Sequence, residues 1–275
     1  MQDGFKKLTE AVAAACLKNE ERYHFADFTL TNYRRLLRMA KRRYGFSVYD
    51  EFDGRKGVVL WRHDVDVCLD SAVALARREA DEGVRATYML WLHSPFYNLL
   101  DSGSAECVRS ILSLGHEVGL HFDATPYGIR DVKALRKYLE MERRLLENTF
   151  GRRIKAFSFH DPAPDTARYS AYRYAGMVNA YAARFHEEVG YCSDSNGYWR
   201  YRRLEDVLRD GKDECLQVLT HPEWWQAAVL SPKERIELCV DRKAGETKKR
   251  YADVLKAAET AEPKISIIVA ARNEA

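Results

Sequence analysis

Hydrophobic positions along this chain switch between two periods. Short runs rich in branched and aromatic residues recur at VVLWRHD (58–64), ATYMLWL (86–92), EVGLHFD (117–123), KAFSFH (155–160) and ECLQVLT (214–220). Each has the length and composition of a β-strand. Between most of them, at 69–82, 105–113 and 130–148, apolar residues return at helical spacing. Strand and helix in alternation predict parallel strands joined by right-handed crossovers, with active groups gathered at the strand C-termini. The expected fold is α/β, a deformed (β/α) barrel over 51–230. Two helices at about 6–22 and 31–43 make 1–50 an N-terminal packing segment, and a long charged helix from 232 to about 261 follows the last strand. Pro95, Pro126, Pro162, Pro164 and Pro222 fall just after predicted strands, which marks the loops at one end of the barrel as specialised.

Composition narrows the class without changing the fold. A chain of 275 residues, 46% hydrophobic and 31% charged, can bury one full-sized core. Its net charge of +3 lacks the strongly basic character of a nucleic-acid binder, so no such partner is expected. The basic stretch from Arg34 to Arg43 alternates with Leu36, Leu37, Met39 and Ala40 and reads as the solvated face of a helix. The apolar run AVAAACL near the N-terminus is too short for a secretory signal or a membrane span. A cytoplasmic protein with no transmembrane segment is the expectation. Six scattered cysteines, without C-x-x-C pairs, argue against a disulfide framework and against a thiolate zinc site.

The candidate chemistry lies at the strand ends. In Arg62-His63-Asp64-Val65-Asp66, strand period two sets Asp64 and Asp66 on one side and His63 on the other. Two carboxylates there suit a division of labour, in which one ligates a metal and one takes a proton from water. Helix capping accounts for Asp70 but leaves Asp64 unexplained. His121 and Asp123 end the third run, His160 the fourth, and His221 follows the fifth. Imidazole and carboxylate at four strand ends are the ligand types of a hydrolytic zinc site, so a divalent metal, zinc, is the expected cofactor. His63 is read as packing, and His24, His116 and His186 as surface residues.

The motifs RHDVD (62–66), HEVGLHFD (116–123), SFHDP (158–162), YCSDSNGYW (191–199) and LTHPEWW (219–225) occur in this order. With them the chain resembles the polysaccharide deacetylase superfamily (carbohydrate esterase family 4, the NodB-homology domain) from about Thr29 to Trp225. The resemblance implies that Asp64 is the general base, Asp66 and His121 are metal ligands, and His221 is the general acid. It departs from the family where a second histidine is expected four residues after the first, since Thr125 stands there. His160 is the favoured third ligand, with Asp123 the alternative. Asp194 is expected to orient His221 or a substrate hydroxyl. Tyr97, Asn98, Trp199 and Trp224 are candidates for the substrate wall, the tryptophans by stacking on sugar rings.

The implied activity is a metal-dependent carbohydrate N-deacylase, removing an acetyl or formyl group from an amino sugar. The implied substrate is a sugar nucleotide or a lipid-linked glycan of surface polysaccharide (O-antigen or lipopolysaccharide) biosynthesis. A sugar-binding or scaffolding domain without catalysis is the competing reading, for which Thr125 is the best argument. A third keeps hydrolysis but takes a non-sugar amide or imide. Residues 265–275, ISIIVAARNEA, resemble the opening strand of family 2 glycosyltransferases. They make 231–275 a candidate connector to such a domain, unless they form a terminal strand packing on this one.

Overall fold

The computed structural model describes residues 22–260, apart from 163 and 200. The first half of the chain gives α1 (Leu30–Lys41), β1 (Gly45–Ser47), β2 (Val58–Val65), α2 (Leu69–Asp81), β3 (Thr87–Trp91), α3 (Ser102–Ser113), β4 (Glu117–Phe122) and α4 (Val132–Phe150). The second half gives β5 (Ala156–Phe159), α5 (Pro164–Ala167), β6 (Arg173–Tyr174), β7 (Met177–Asn179), α6 (Ala183–Glu188), β8 (Gly190–Ser193), α7 (Leu204–Asp210), β9 (Cys215–Thr220) and α8 (Pro232–Thr260). They build one sheet in the order β6-β7-β5-β4-β3-β2-β9-β8, with β1 beside the start of β2. Its neighbours run parallel, except in the β6–β7 hairpin.

Every residue of β2 is buried. β9 takes one edge, β1 and then β3 take the other, and both faces are covered. Outward-facing Val59, Trp61 and Val65 join Leu36, Leu37, Ala72 and Ala76 of α1 and α2 in the main core. Inward-facing Val58 and Leu60 join Met89, Ala156 and Val178 in a smaller one. Pure alternation along one strand therefore sorts its residues into two cores.

The sheet is strongly curled. β2 and β5 are separated by β3 and β4, which in a flat sheet would place them roughly 14 Å apart, at about 4.8 Å per step. Yet Ser158 Oγ on β5 lies 3.3 Å from Asp64 Oδ1 on β2. Gly119 on β4 permits this curvature, because a Cβ there would lie 2.2 Å from Met89 Sδ and 2.9 Å from the Ala156 carbonyl oxygen. The edges β6 and β8 are not paired with each other, so the barrel is open, as a deformed (β/α) barrel should be.

The α/β class, the five principal strands and the helices at 69–82, 105–113 and 130–148 match the sequence reading within a few residues. The helix expected at 105–113 starts earlier, at Ser102, because Asp101 caps it by accepting from the Gly103 and Ser104 backbone N–H groups. The basic stretch on α1 is a solvated, ion-paired face, with Arg34 on Asp81, Arg35 on Glu205 and Arg38 on Glu82. α8 is anchored by Arg235, which is fully buried, donates to the Gly197 and Phe25 carbonyls and lies 4.7 Å from the Phe28 ring. Among the described residues no helix is long and apolar enough to cross a membrane. The helix expected at 6–22 lies almost wholly, and the strand expected after 264 entirely, outside the described residues.

Candidate metal centre and catalytic rim

Register carries the candidate residues to one rim. His63 pairs with Thr220, so Asp64 and His221 stand level on adjacent strands β2 and β9. His121 pairs with Trp91 on one side and Ser158 on the other. The backbone N–H of His160 donates to the Phe122 carbonyl, continuing the β4–β5 ladder by one residue. The curl then turns these side chains toward a common point.

Three of them form a donor set. His121 Nε2 lies 3.2 Å from Asp66 Oδ1 and 3.1 Å from His160 Nδ1, and His160 Nδ1 lies 3.8 Å from Asp66 Oδ1. A tetrahedral zinc with bonds of about 2.0–2.1 Å needs ligand atoms roughly 3.3–3.4 Å apart, which these separations bracket. Asp66 Oδ1 is buried and has no aligned hydrogen-bond donor, even with the imidazoles close by. Burial pushes the Asp66 carboxyl up, but the neighbouring His121, His160 and His221 hold it well below the ordinary carboxylate range. Two imidazole nitrogens and a buried carboxylate oxygen without a hydrogen-bond donor fit a divalent metal. His121 Nδ1 shares a 2.7 Å hydrogen bond with Ser158 Oγ, which leaves Nε2 turned toward Asp66 and His160. The His160 ring is fixed by stacking on Trp91, with centroids 3.8 Å apart.

Asp64 stands behind this set, not in it. Arg62 Nη2 donates to Asp64 Oδ2 at 3.0 Å, Arg62 Nε lies 3.0 Å from Oδ1, and Ser158 donates to Oδ1. Arg62 is itself buried and donates to the Tyr181 hydroxyl. On the other side, Asp194 accepts from His221 Nδ1 at 2.7 Å and from its backbone N–H at 2.9 Å. His221 Nε2 faces Asp66 Oδ2 at 3.9 Å. Burial alone would lower the His221 pKa; the Asp194 carboxylate outweighs it and raises the pKa to about 10. The imidazole is therefore cationic at neutral pH.

Of the residues singled out in the sequence, Asp64, Asp66, His121, His160, His221 and Asp194 come together at this rim. Asp123 does not join the donor set among the described residues; it is buried and accepts from the Thr125 backbone N–H, as an Asx turn. Tyr97 is also buried, its hydroxyl donating to the Val65 carbonyl and accepting from the Trp91 N–H, so it ties the ends of β2 and β3 together. Asn98 is exposed in the following loop. Trp199 packs on Phe28 and Trp225, while Trp224, half-buried, lies over Gly197.

Two residues of this rim carried no assignment in the sequence, Arg62 and Ser158. Strand period two signals both, since Arg62 precedes Asp64 by two positions and Ser158 precedes His160 by two. His63 faces the outer side of β2, as read. His116 is a correction to the surface reading, being buried between α2 and β3. Its Nδ1 accepts from the Ala86 N–H and its Nε2 donates to the Ala76 carbonyl.

No family model matches the chain, and no curated protein matches it. Among solved structures it is similar to a variant of the peptidoglycan deacetylase PdaC from Bacillus subtilis, at 14% identity and TM-score 0.41, over 75% of this chain and 99% of that one. It is similar to the chitin deacetylase of the fungal pathogen Colletotrichum lindemuthianum, at 13% identity and TM-score 0.41, over 72% of this chain and 86% of that one. A CE4 family pseudoenzyme from Bacillus anthracis shares 15% identity and TM-score 0.39, over 70% of this chain and 62% of its own. At such values the likeness is one of coarse shape.

Proposed function

We propose that this chain is a metal-dependent hydrolase of the polysaccharide deacetylase superfamily that removes an N-acyl group, acetyl or formyl, from an amino sugar. One observation carries the reading: Asp66, His121 and His160 present their donor atoms to one another, with the Arg62-held Asp64 on one side and the Asp194-held His221 on the other. When bound by the three donors, a divalent metal, for which zinc is our candidate, would polarise the amide carbonyl and make water more acidic. Asp64 then takes the proton of the attacking water, its carboxylate oriented by Arg62 and Ser158. His221, cationic and aimed at the rim by Asp194, gives its proton to the departing amine nitrogen. Asp64 as base and His221 as acid thus divide the two proton transfers of amide hydrolysis between two residues.

The amino sugar is proposed to be a precursor of a surface polysaccharide, presented as a sugar nucleotide or a lipid-linked glycan. A panel of N-acylated sugar nucleotides and N-acetylated oligosaccharides, incubated with zinc-loaded protein and assayed for released primary amine, tests this. Release that disappears in Asp64→Asn supports the reading. Sugar binding without release would make the chain a binding domain, and release only from non-sugar amides or imides would move the substrate elsewhere.

A further inference from the structure

A second polar cluster lies in the outer layer, apart from the rim. The buried stripe of α4 is Leu135, Leu139, Glu142 and Leu146, so a carboxylate occupies a core position of an amphipathic helix. Glu142 is 2% exposed. Its Oε1 accepts from the Tyr127 hydroxyl at 2.5 Å and lies 2.8 Å from His93 Nε2. Its Oε2 is buried with no hydrogen-bond partner. Burial pushes the carboxyl above its ordinary range, in spite of the bonds from Tyr127 and His93. A native fold rarely leaves such an atom unsatisfied, since an orphaned buried acceptor costs on the order of 1–3 kcal/mol.

Glu142 lines an open groove of about 710 Å³ between α4 and the loop after β3. Much of its wall is apolar (Leu92, Leu99, Leu100, Tyr127, Met141 and Leu145), and the charged Lys137, Glu140 and Arg144 line it as well. Leu100, Met141 and Leu145 are 66%, 48% and 45% exposed, which leaves bare apolar surface beside a buried carboxyl. The volume is that of a small-molecule site, and an apolar groove with a few convergent polar groups is the usual form of one.

We propose that this groove binds an amphiphilic alcohol, its apolar body lying on Leu99, Leu100, Met141 and Leu145 and its hydroxyl meeting Glu142 Oε2. A hydroxyl both donates and accepts, so it satisfies that oxygen whether Glu142 is ionised or protonated. A ligand carboxylate brings a second negative charge to the same oxygen and has no hydrogen to give it, so it binds more weakly there even with Lys137 and Arg144 in the lining. The inference uses neither the donor set nor the reaction at the rim, so it stands or falls by itself.

The test uses the full chain, with 1-octanol and octanoate as probes in ligand-observed NMR or calorimetry. The expected result is saturable octanol binding and octanoate weaker by about tenfold or more. Leu145→Asp and Met141→Asp change exposed positions, so the fold should persist by circular dichroism while octanol affinity falls about tenfold or more. Glu142→Gln, which keeps a carbonyl oxygen for Tyr127 and His93, should narrow the gap between the two probes. No saturable octanol binding, equal affinity for both probes, or an unchanged affinity in both aspartate variants overturns the assignment.

Discussion

β2 carries a polar network on each face, and the two are finished differently. On the outer face His63 Nε2 meets Glu79 Oε1 at 2.6 Å and His63 Nδ1 meets the Thr220 hydroxyl at 2.7 Å. Tyr33 donates to the same Glu79 oxygen and Tyr88 to the other. Both glutamate oxygens are thereby occupied, and Glu79 and His63 are fully buried. On the inner face Arg62 and Ser158 both donate to Asp64, but buried atoms are left without a hydrogen-bond partner: Arg62 Nε and Nη1, and Asp66 Oδ1 at the rim. Within the five positions 62–66, one face of the strand serves packing and the other ends in the Asp66 acceptor without a donor. Saturation, more than the presence of His and Asp, separates a structural network from a site.

The sharpest break in this contrast is His221→Ala, expected to lower turnover about 10²–10⁴-fold, the usual contribution of a positioned acid. Single-turnover rates on whichever substrate the amine assay identifies would show it, and a nearly unchanged rate would remove His221 from the chemistry. Glu79→Ala acts on the opposite face. Breaking a buried hydrogen-bonded pair there should cost about 3–5 kcal/mol in urea unfolding while leaving metal content as it was. The same network has a pH signature. Burial pushes the Glu79 carboxyl up, yet His63 and its other partners hold it at about 2, against an ordinary 4.5. Because the folded value is depressed, the stability is present above pH 4.5 and is lost as pH falls toward 2. A Glu79→Ala protein should show a flatter stability profile across that window.

His160→Ala is expected to weaken metal binding by more than the roughly 10–100-fold typical of an outer-shell contact. Chelator competition measures it, and an equal effect from Asp123→Ala with none from His160→Ala would transfer the third ligand to Asp123. The smallest effect is expected of Asp194→Asn. His221 keeps its proton until pH passes through about 10, and losing the Asp194 charge should move the alkaline limb of the rate profile to lower pH. A limb that stays in place would make Asp194 purely structural.

Much of this was readable in the sequence, and the reasons are local. β2, β3, β4, β5 and β9 are apolar runs long enough for their period to show, and their polar ends announced Asp64, Asp66, His121, His160 and His221. β1, β6, β7 and β8 span only two to four residues, too short for any period, so the strand that precedes Asp194 was met only as a motif. His116 precedes β4 and carries no periodic signal; the packing of α2 against β3 buries it. Glu79 and Glu142 did leave a trace, each a charge within an otherwise apolar helical stripe. What the sequence could not tell is which of the two is fully partnered, because that depends on residues brought from other elements.

Metal content of the protein, measured alongside turnover in Asp66→Ala and Asp64→Asn, separates the role of the metal-binding carboxylate from that of the base. Elemental analysis after zinc reconstitution and desalting should find one metal per chain in the unaltered protein, none in Asp66→Ala, and one in Asp64→Asn, which should nonetheless be inactive. Metal absent from the reconstituted protein, or lost in Asp64→Asn while Asp66→Ala retains it, would contradict the division between the donor set and the base.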